Sequence, residues 1–367
     1  MELFYGWLRQ KLALEFLQAQ FVTKPPRAIV SHILQLGLYQ LHFLKTPAHA
    51  AVNESVALAK RYATMAESRF VNAVLRRAAG GLSLEEAPEW VRVSHPRWLW
   101  ERWAKRWGND ETQRLCEWNN EPPPVCVRLN SLRASEAPAG VALEATKHPL
   151  CWRVKEPAGL FSSEAWRRGE FYAQDPSTLI AVDVLDPQPG ETVLDLCAAP
   201  GGKTTYIAQK MENRGKIVAT DSSNARLGLV GENCRRLGVN IVATLACDGT
   251  RTDRCLRDAT FDRVLVDAPC SNTGVMRRRP DLRWRIKVEE IRRLAETQGK
   301  LLAAAARFTR QGGVLVYSTC SLEPEENERV AERFRESHPE FALDATHSTF
   351  PPRDGVDGSF VARFRRL

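Results

Sequence analysis

Five short apolar runs, at residues 192–196, 216–220, 241–246, 263–266 and 314–317, are separated by stretches long enough to form helices. That alternation predicts βαβ units and a parallel, doubly wound sheet from about Phe171 onward. It also says where to look for chemistry. In such sheets, ligands bind in the crevice beyond the carboxyl ends of the strands. Four aspartates fall on those ends: Asp195, Asp221, Asp248 and Asp267. Two cysteines do as well, in Asp267-Ala268-Pro269-Cys270 and Ser318-Thr319-Cys320. The tail at 359–364 alternates apolar and polar residues and reads as an edge strand.

The turn after the first run is Cys197-Ala198-Ala199-Pro200-Gly201-Gly202-Lys203-Thr204. Paired glycines let a backbone approach a ligand closely and open a helix N-terminus toward it. Two phosphate-binding readings fail here. A Walker A loop needs glycine five positions before Gly202, and that position holds Cys197; the dinucleotide pattern needs three spaced glycines. Asp221, about twenty residues past the glycines, is placed to accept hydrogen bonds from ribose hydroxyls, and Asp248 is expected near an adenine edge. A nucleoside-bearing methyl donor suits this pattern.

The paired cysteines narrow the acceptor. C5 of a pyrimidine is too weak a nucleophile to attack a sulfonium methyl unaided. A thiolate that adds to C6 turns the ring into an enamine, and covalent catalysis thereby splits one hard step into easier ones. A second cysteine nearby suits the exit, when the C5 proton leaves and the thiol is expelled. Cys320 precedes the acidic start Pro324-Glu325-Glu326-Asn327-Glu328, where a helix N-terminus would favour its thiolate and the glutamates would oppose it.

The strings LDLCAAPGGKT, VDAPCSNTGVMRRRPDLRW and YSTCSLEPEENE resemble those of the RNA (cytosine-5)-methyltransferases that use S-adenosylmethionine. Leu36-Gly37-Leu38-Tyr39-Gln40-Leu41, Pro47-Ala48-His49-Ala50-Ala51-Val52-Asn53-Glu54 and Phe70-Val71-Asn72-Ala73-Val74-Leu75-Arg76 resemble the NusB-like domain of the RsmB/Sun (Fmu) branch, which methylates small-subunit ribosomal RNA. The resemblance implies a Rossmann-like methyltransferase domain, an all-α NusB-like domain before it, and a small α+β linking subdomain between them. It implies Cys320 as nucleophile and Cys270 in product release, while Asp267 could hydrogen-bond the cytosine amino group and N3, stabilising charge on the ring as C6 is attacked. DNA cytosine methyltransferases use the Pro-Cys cysteine as nucleophile instead, which would reverse the two roles. It further implies that Cys197 to Lys203 (Cys197, Ala198, Ala199, Pro200, Gly201, Gly202, Lys203), with Asp221, Asp248 and Asp267, contact S-adenosylmethionine. Its rivals are a tRNA cytosine-5 methyltransferase, against which the NusB-like segment argues, and a non-catalytic RNA-binding assembly factor.

With 367 residues the chain should form two or three domains. The expected division is 1–81, NusB-like and RNA-binding; 82–166, helical and then α+β; and 167–367, catalytic. The family match begins inside the first domain, which predicts that its opening helices are missing. Ile29, Ile33, Leu36, Gln40 and Phe43 mark one helix there, and Val52, Val56 and Ala59 another. Five tryptophans between Trp90 and Trp107, interleaved with arginines, could stack bases, but such residues more often bury a helix face.

The net charge of +8 suits a polyanionic partner, expected to be 16S rRNA. Arg277, Arg278, Arg279, Arg283 and Trp284, directly after the Pro-Cys loop, read as an RNA backbone clamp. Nine cysteines without C-x-x-C or His/Cys ligand spacing predict reduced thiols and neither zinc nor a disulfide framework. With no export signal and no apolar run of membrane length, a cytoplasmic monomer is expected.

Overall fold

The computed structural model describes residues 2–134, 136, 140–257 and 259–367. The chain divides into two compact units. Residues 1–122 together with 276–285 form one, and 123–275 with 286–367 form the other.

Helices of four residues aside, the first unit holds α1 (Glu2–Arg9), α2 (Lys11–Ala19), α3 (Ala28–His42), α4 (Ala48–Tyr62), α5 (Met65–Ala78), α6 (Arg97–Trp107) and α7 (Asn109–Asn120). The predicted period holds in α3, but its buried stripe is turned by one residue. Val30, Ile33, Leu34 and Leu38 fill the core, while Ile29 is 39% exposed. The shift follows from Gly37, where α3 meets α4 and α5: an added Cβ would lie 2.6 Å from Leu75 and 2.8 Å from the Ser55 hydroxyl. Helix α5 starts at a capping box in which Thr64 and Glu67 satisfy each other's backbone N–H groups. In α6, Trp100 and Trp103 are buried, so these tryptophans chiefly fill a helix face.

The segment returning at 276–285 plugs this unit. Arg283 is fully buried, and its guanidinium donates to the carbonyls of Arg9, Ser94 and Asn119 and, at 2.7 Å, to Asn120 Oδ1. Arg277 is buried too, its guanidinium 3.9 Å from the Trp118 ring centre. Trp284 donates its indole N–H to the Leu8 carbonyl at 2.8 Å.

The second unit contains two sheets. A four-stranded antiparallel sheet, in the order β2-β3-β1-β4, uses β1 (Cys126–Leu129), β2 (Leu143–Ala145), β3 (Cys151–Val154) and β4 (Phe171–Ala173). The larger sheet has seven strands: β5 (Thr192–Leu196), β6 (Lys216–Asp221), β7 (Val242–Ala246), β8 (Phe261–Asp267), β9 (Thr309–Thr319), β10 (Phe341–Thr349) and β11 (Ser359–Arg366). Their order is β10-β11-β9-β8-β5-β6-β7, and the five strands from β9 to β7 run parallel. α8 (Ile180–Leu185) precedes β5, and α9 (Gly202–Lys210), α10 (Asn224–Leu237), α11 (Val288–Ala306) and α12 (Glu328–Ser337) run between the strands.

The central strands carry apolar residues toward both faces because both faces are covered. Val193, Ile217, Leu265 and Val316 point into one core, and Leu194, Val264, Leu315 and Tyr317 into the other. The tail strand is not an edge. β11 lies between β10 and β9, antiparallel to both, and residues 359–362 are all buried. Two of its arginines turn to backbone carbonyls, Arg363 to that of Val184 and Arg366 to that of Thr309, whereas Arg365 is exposed and donates to Asp344. Chain order reverses between β5 and β8, so the crevice expected of this topology opens at their carboxyl ends.

Candidate active site

β5 delivers Asp195, fully buried, into the floor of the crevice. Thr204 donates its hydroxyl to Asp195 Oδ2 at 2.6 Å, whereas Oδ1 has no partner. Burial, reinforced by Asp267 and Asp221, pushes the Asp195 carboxyl up to about 7 although Thr204 pulls the other way. The chain then turns sharply. Cys197 adopts φ 67° and Gly201 φ 101°, and an added Cβ at Gly201 would sit 3.2 Å from the Val230 Cα. The turn therefore presents backbone without side-chain bulk where α9 begins. Arg128 of β1 fixes it from below, donating to the Gly202 carbonyl at 2.8 Å and to the Thr205 hydroxyl at 3.0 Å.

Asp221, at the end of β6, accepts the Ala199 N–H at 3.3 Å and the Ser223 N–H at 3.0 Å. Turn and carboxylate thus form one construction, as a nucleoside-bearing ligand requires. Asp248 is exposed beyond β7 and accepts from the Thr250 N–H and hydroxyl. Lys203 has a role the sequence did not suggest. Its ammonium donates to Asp267 Oδ2 at 2.8 Å, while Ser318 donates to Oδ1 at 2.9 Å. Burial disfavours the Lys203 charge, but Asp267 outweighs it and holds the ammonium above its ordinary range. Both carboxylate oxygens of Asp267 are oriented before any substrate arrives.

The two cysteines meet. Asp267 and Ser318 are register partners on β8 and β9, and the loops that continue from them bring Cys270 Sγ and Cys320 Sγ to 3.3 Å. Cys320 is half-buried and its thiol donates to Asn272 Oδ1 at 3.1 Å. Asn272, at φ 59°, also donates its amide to the Cys270 carbonyl at 2.7 Å. The hydrogen bond with Cys320, followed by burial, holds the Cys270 thiol well above the usual cysteine range. The expected helix N-terminus does not lie next to Cys320. α12 begins at Glu328, eight residues on, and the contacts of the sulfur lie elsewhere. Asn272 and Cys270 are the neighbours instead.

Of the residues expected to clamp RNA, Arg277 and Arg283 are enclosed in the first unit. Their guanidiniums face Trp118 and backbone carbonyls, and burial pulls Arg283 down to about 9. That placement removes both from contact with phosphate. Arg279 is exposed, and Arg278 and Trp284 are half-buried.

Among the described residues, no group of three or more His, Cys, Asp or Glu could hold a metal ion. No helix among them is long and apolar enough to cross a membrane.

Known proteins resemble the chain over nearly all its length. Residues 182–365 match the family model for the 16S rRNA methyltransferase RsmB/F, residues 1–80 the NusB family, and residues 95–153 the RsmF/B-like ferredoxin-like domain. The probable ribosomal RNA small subunit methyltransferase B of Bacillus subtilis (strain 168) is 36% identical, aligning with 100% of this chain and 89% of its own. The ribosomal RNA small subunit methyltransferase B of Yersinia pseudotuberculosis serotype O:1b (strain IP 31758) is 35% identical, over 99% and 89%. The crystal structure of PH0851 superposes with a TM-score of 0.86 at 28% identity, over 99% of this chain and 89% of that one.

Proposed function

Because the chain belongs to the RsmB/F family of 16S rRNA methyltransferases, we propose that it methylates C5 of a cytosine through a covalent bond between Cys320 and C6. It is an S-adenosylmethionine-dependent rRNA methyltransferase. The observation that carries the finer reading is the 3.3 Å approach of two thiols beside a carboxylate fixed on both oxygens.

The glycine turn and Asp221 would hold the donor, which supplies an electrophilic methyl on a sulfonium sulfur. Asp267, held by Lys203 and Ser318, would accept from the cytosine amino group and orient the ring. Once its thiol proton has passed to solvent, Cys320 Sγ bonds to C6, and the C5–C6 π electrons become available at C5. Asn272 accepts from the Cys320 thiol in the resting site and aims the sulfur. Once C5 carries the methyl, its proton passes to solvent, the electrons of that C–H bond reform the double bond, and those of the S–C6 bond return to the Cys320 sulfur. Cys270, held neutral beside Cys320, is placed to donate a hydrogen bond to the departing sulfur.

Single cysteine variants test this. Cys320→Ala should abolish 5-methylcytidine in 16S rRNA, measured by nucleoside mass spectrometry, and retain donor binding. Cys270→Ala should accumulate an RNA–protein adduct on denaturing gels that depends on the donor. Methylation surviving Cys320→Ala would overturn the proposal, and an adduct in that variant alone would reverse the two roles.

A further inference from the structure

Each cysteine is followed by a serine, Ser271 after Cys270 and Ser321 after Cys320. Both serines are buried, and both hydroxyls donate to the carboxylate of Glu326, that of Ser321 at 2.5 Å. The Ser271 N–H donates to the same carboxylate at 2.9 Å. Gln298 of α11 donates one amide to it at 3.0 Å and to the Pro269 carbonyl at 2.9 Å. One buried side chain therefore grips the residue immediately beyond each sulfur. Glu326 is itself fixed, because its carbonyl accepts the Tyr317 hydroxyl at 2.5 Å. Its neighbour Asn327 accepts from Thr319 at 2.6 Å and donates to the Ser321 carbonyl at 2.8 Å.

Nothing in the chemistry assigned above uses Glu326. It touches neither sulfur directly, so it is no candidate for the nucleophile or for the residue that releases product. Burial raises its carboxyl above the usual range, although the serines and Gln298 pull it down. A chain that keeps a buried acid on four donors incurs a desolvation cost that an apolar residue would avoid.

We infer that Glu326 is the positioning residue that sets the separation of the Cys270 and Cys320 sulfurs, acting through Ser271 and Ser321. Its catalytic consequence rests on the covalent reading given above; its geometric content does not. Without the carboxylate, four donors lose their acceptor, and the two loops lose the group that joins them. A displacement of about 1 Å at a reacting group costs on the order of a hundredfold in rate.

The test uses the full-length protein and has one readout that needs neither RNA nor donor. Equilibration with reduced and oxidised glutathione measures how readily the two thiols find each other. The pair loses two protons and two electrons and forms one S–S bond, while glutathione disulfide is reduced to two thiols. Peptide mass spectrometry quantifies the Cys270–Cys320 disulfide, with Cys320→Ala and Cys270→Ala as blanks. Glu326→Ala should lower the effective concentration of the pair about tenfold or more. Below its thermal transition it should lower kcat for methylation about a hundredfold with little change in KM, the pattern of a lost transition-state alignment.

If Glu326→Ala does not fold, the double variant Ser271→Ala/Ser321→Ala decides, because it removes both hydroxyl contacts and leaves the carboxylate in place. It should show the same two losses, smaller in size. Wild-type disulfide yield in whichever variant is read overturns the inference, even if activity falls. Should the yield fall while methylation survives removal of Cys320, the positioning role stands and the covalent mechanism fails.

Discussion

Asp195 is the residue whose environment departs furthest from that of a solvated carboxylate. Its proton is held in the fold up to about pH 7, while the unfolded chain releases it near pH 4. The folded state thus binds the extra proton, and this group's contribution to stability declines as pH rises through that window, by about 1.4 kcal/mol per unit. Asp195→Asn should remove the decline. The melting temperature of the variant minus that of wild type should grow from pH 4 to 7 and level off above. A constant difference would show that Asp195 ionises normally. Lys203 gives a second test: Lys203→Met releases Asp267 Oδ2 and should cut methylation about a hundredfold, with RNA affinity unchanged in filter binding. The positions of both cysteines, the glycines and the strand-end acids were legible in the sequence, because apolar runs mark where the strands end and these residues follow directly. Lys203, Asn272 and Glu326 were not read for what they do here. Their partners lie across the sheet, up to 64 residues away, and no local spacing encodes such pairs.

At the level of elements, the parallel strands were legible because burial on both faces leaves an unbroken apolar run. The place of β11 was not. Its alternation is that of a strand with one wet face, whereas Arg363 and Arg366 donate to backbone carbonyls of the unit. The short turn at Thr273–Val275 shows how little room these elements leave. Gly274 donates to the Cys320 carbonyl at 3.0 Å and accepts from the Gly358 N–H at 2.8 Å. An added Cβ there would meet the Gly358 oxygen at 2.6 Å and the Cys320 oxygen at 2.8 Å, both backbone. Gly274→Ala should therefore move the end of β9 and the cysteine loops apart. Expected are a lower melting temperature and at least about a tenfold loss of methylation, with donor binding by calorimetry intact. Unchanged turnover would mean that the loops absorb the methyl group without shifting Cys320.

For the whole molecule, the net charge of +8 pointed correctly to a polyanion, and family membership names it as ribosomal RNA. A run of arginines cannot say which ones turn inward, and here Arg277 and Arg283 do. Two substitutions should accordingly differ in kind. Arg279→Ala, if it removes a phosphate contact, should lower the slope of log affinity against log salt by about 0.7 to 0.9 and leave the fold unchanged. Arg283→Met strips the donors from three carbonyls and Asn120 Oδ1, and should cost on the order of 3 kcal/mol, seen as an early unfolding step in thermal or denaturant scans. An Arg283→Met protein that unfolds like wild type but has a flattened salt slope would restore the phosphate role to Arg283.

The return of residues 276–285 to the first unit also fixes an order in time. A ribosome completes residue 122 long before residue 283, and the interval at about 5 to 20 residues per second is on the order of ten seconds. Throughout it, the carbonyls of Arg9, Ser94 and Asn119 are without the guanidinium that donates to them in the finished unit. The N-terminal unit is therefore begun first, yet its last contributing residues are synthesised after four strands of the catalytic sheet, β5 to β8.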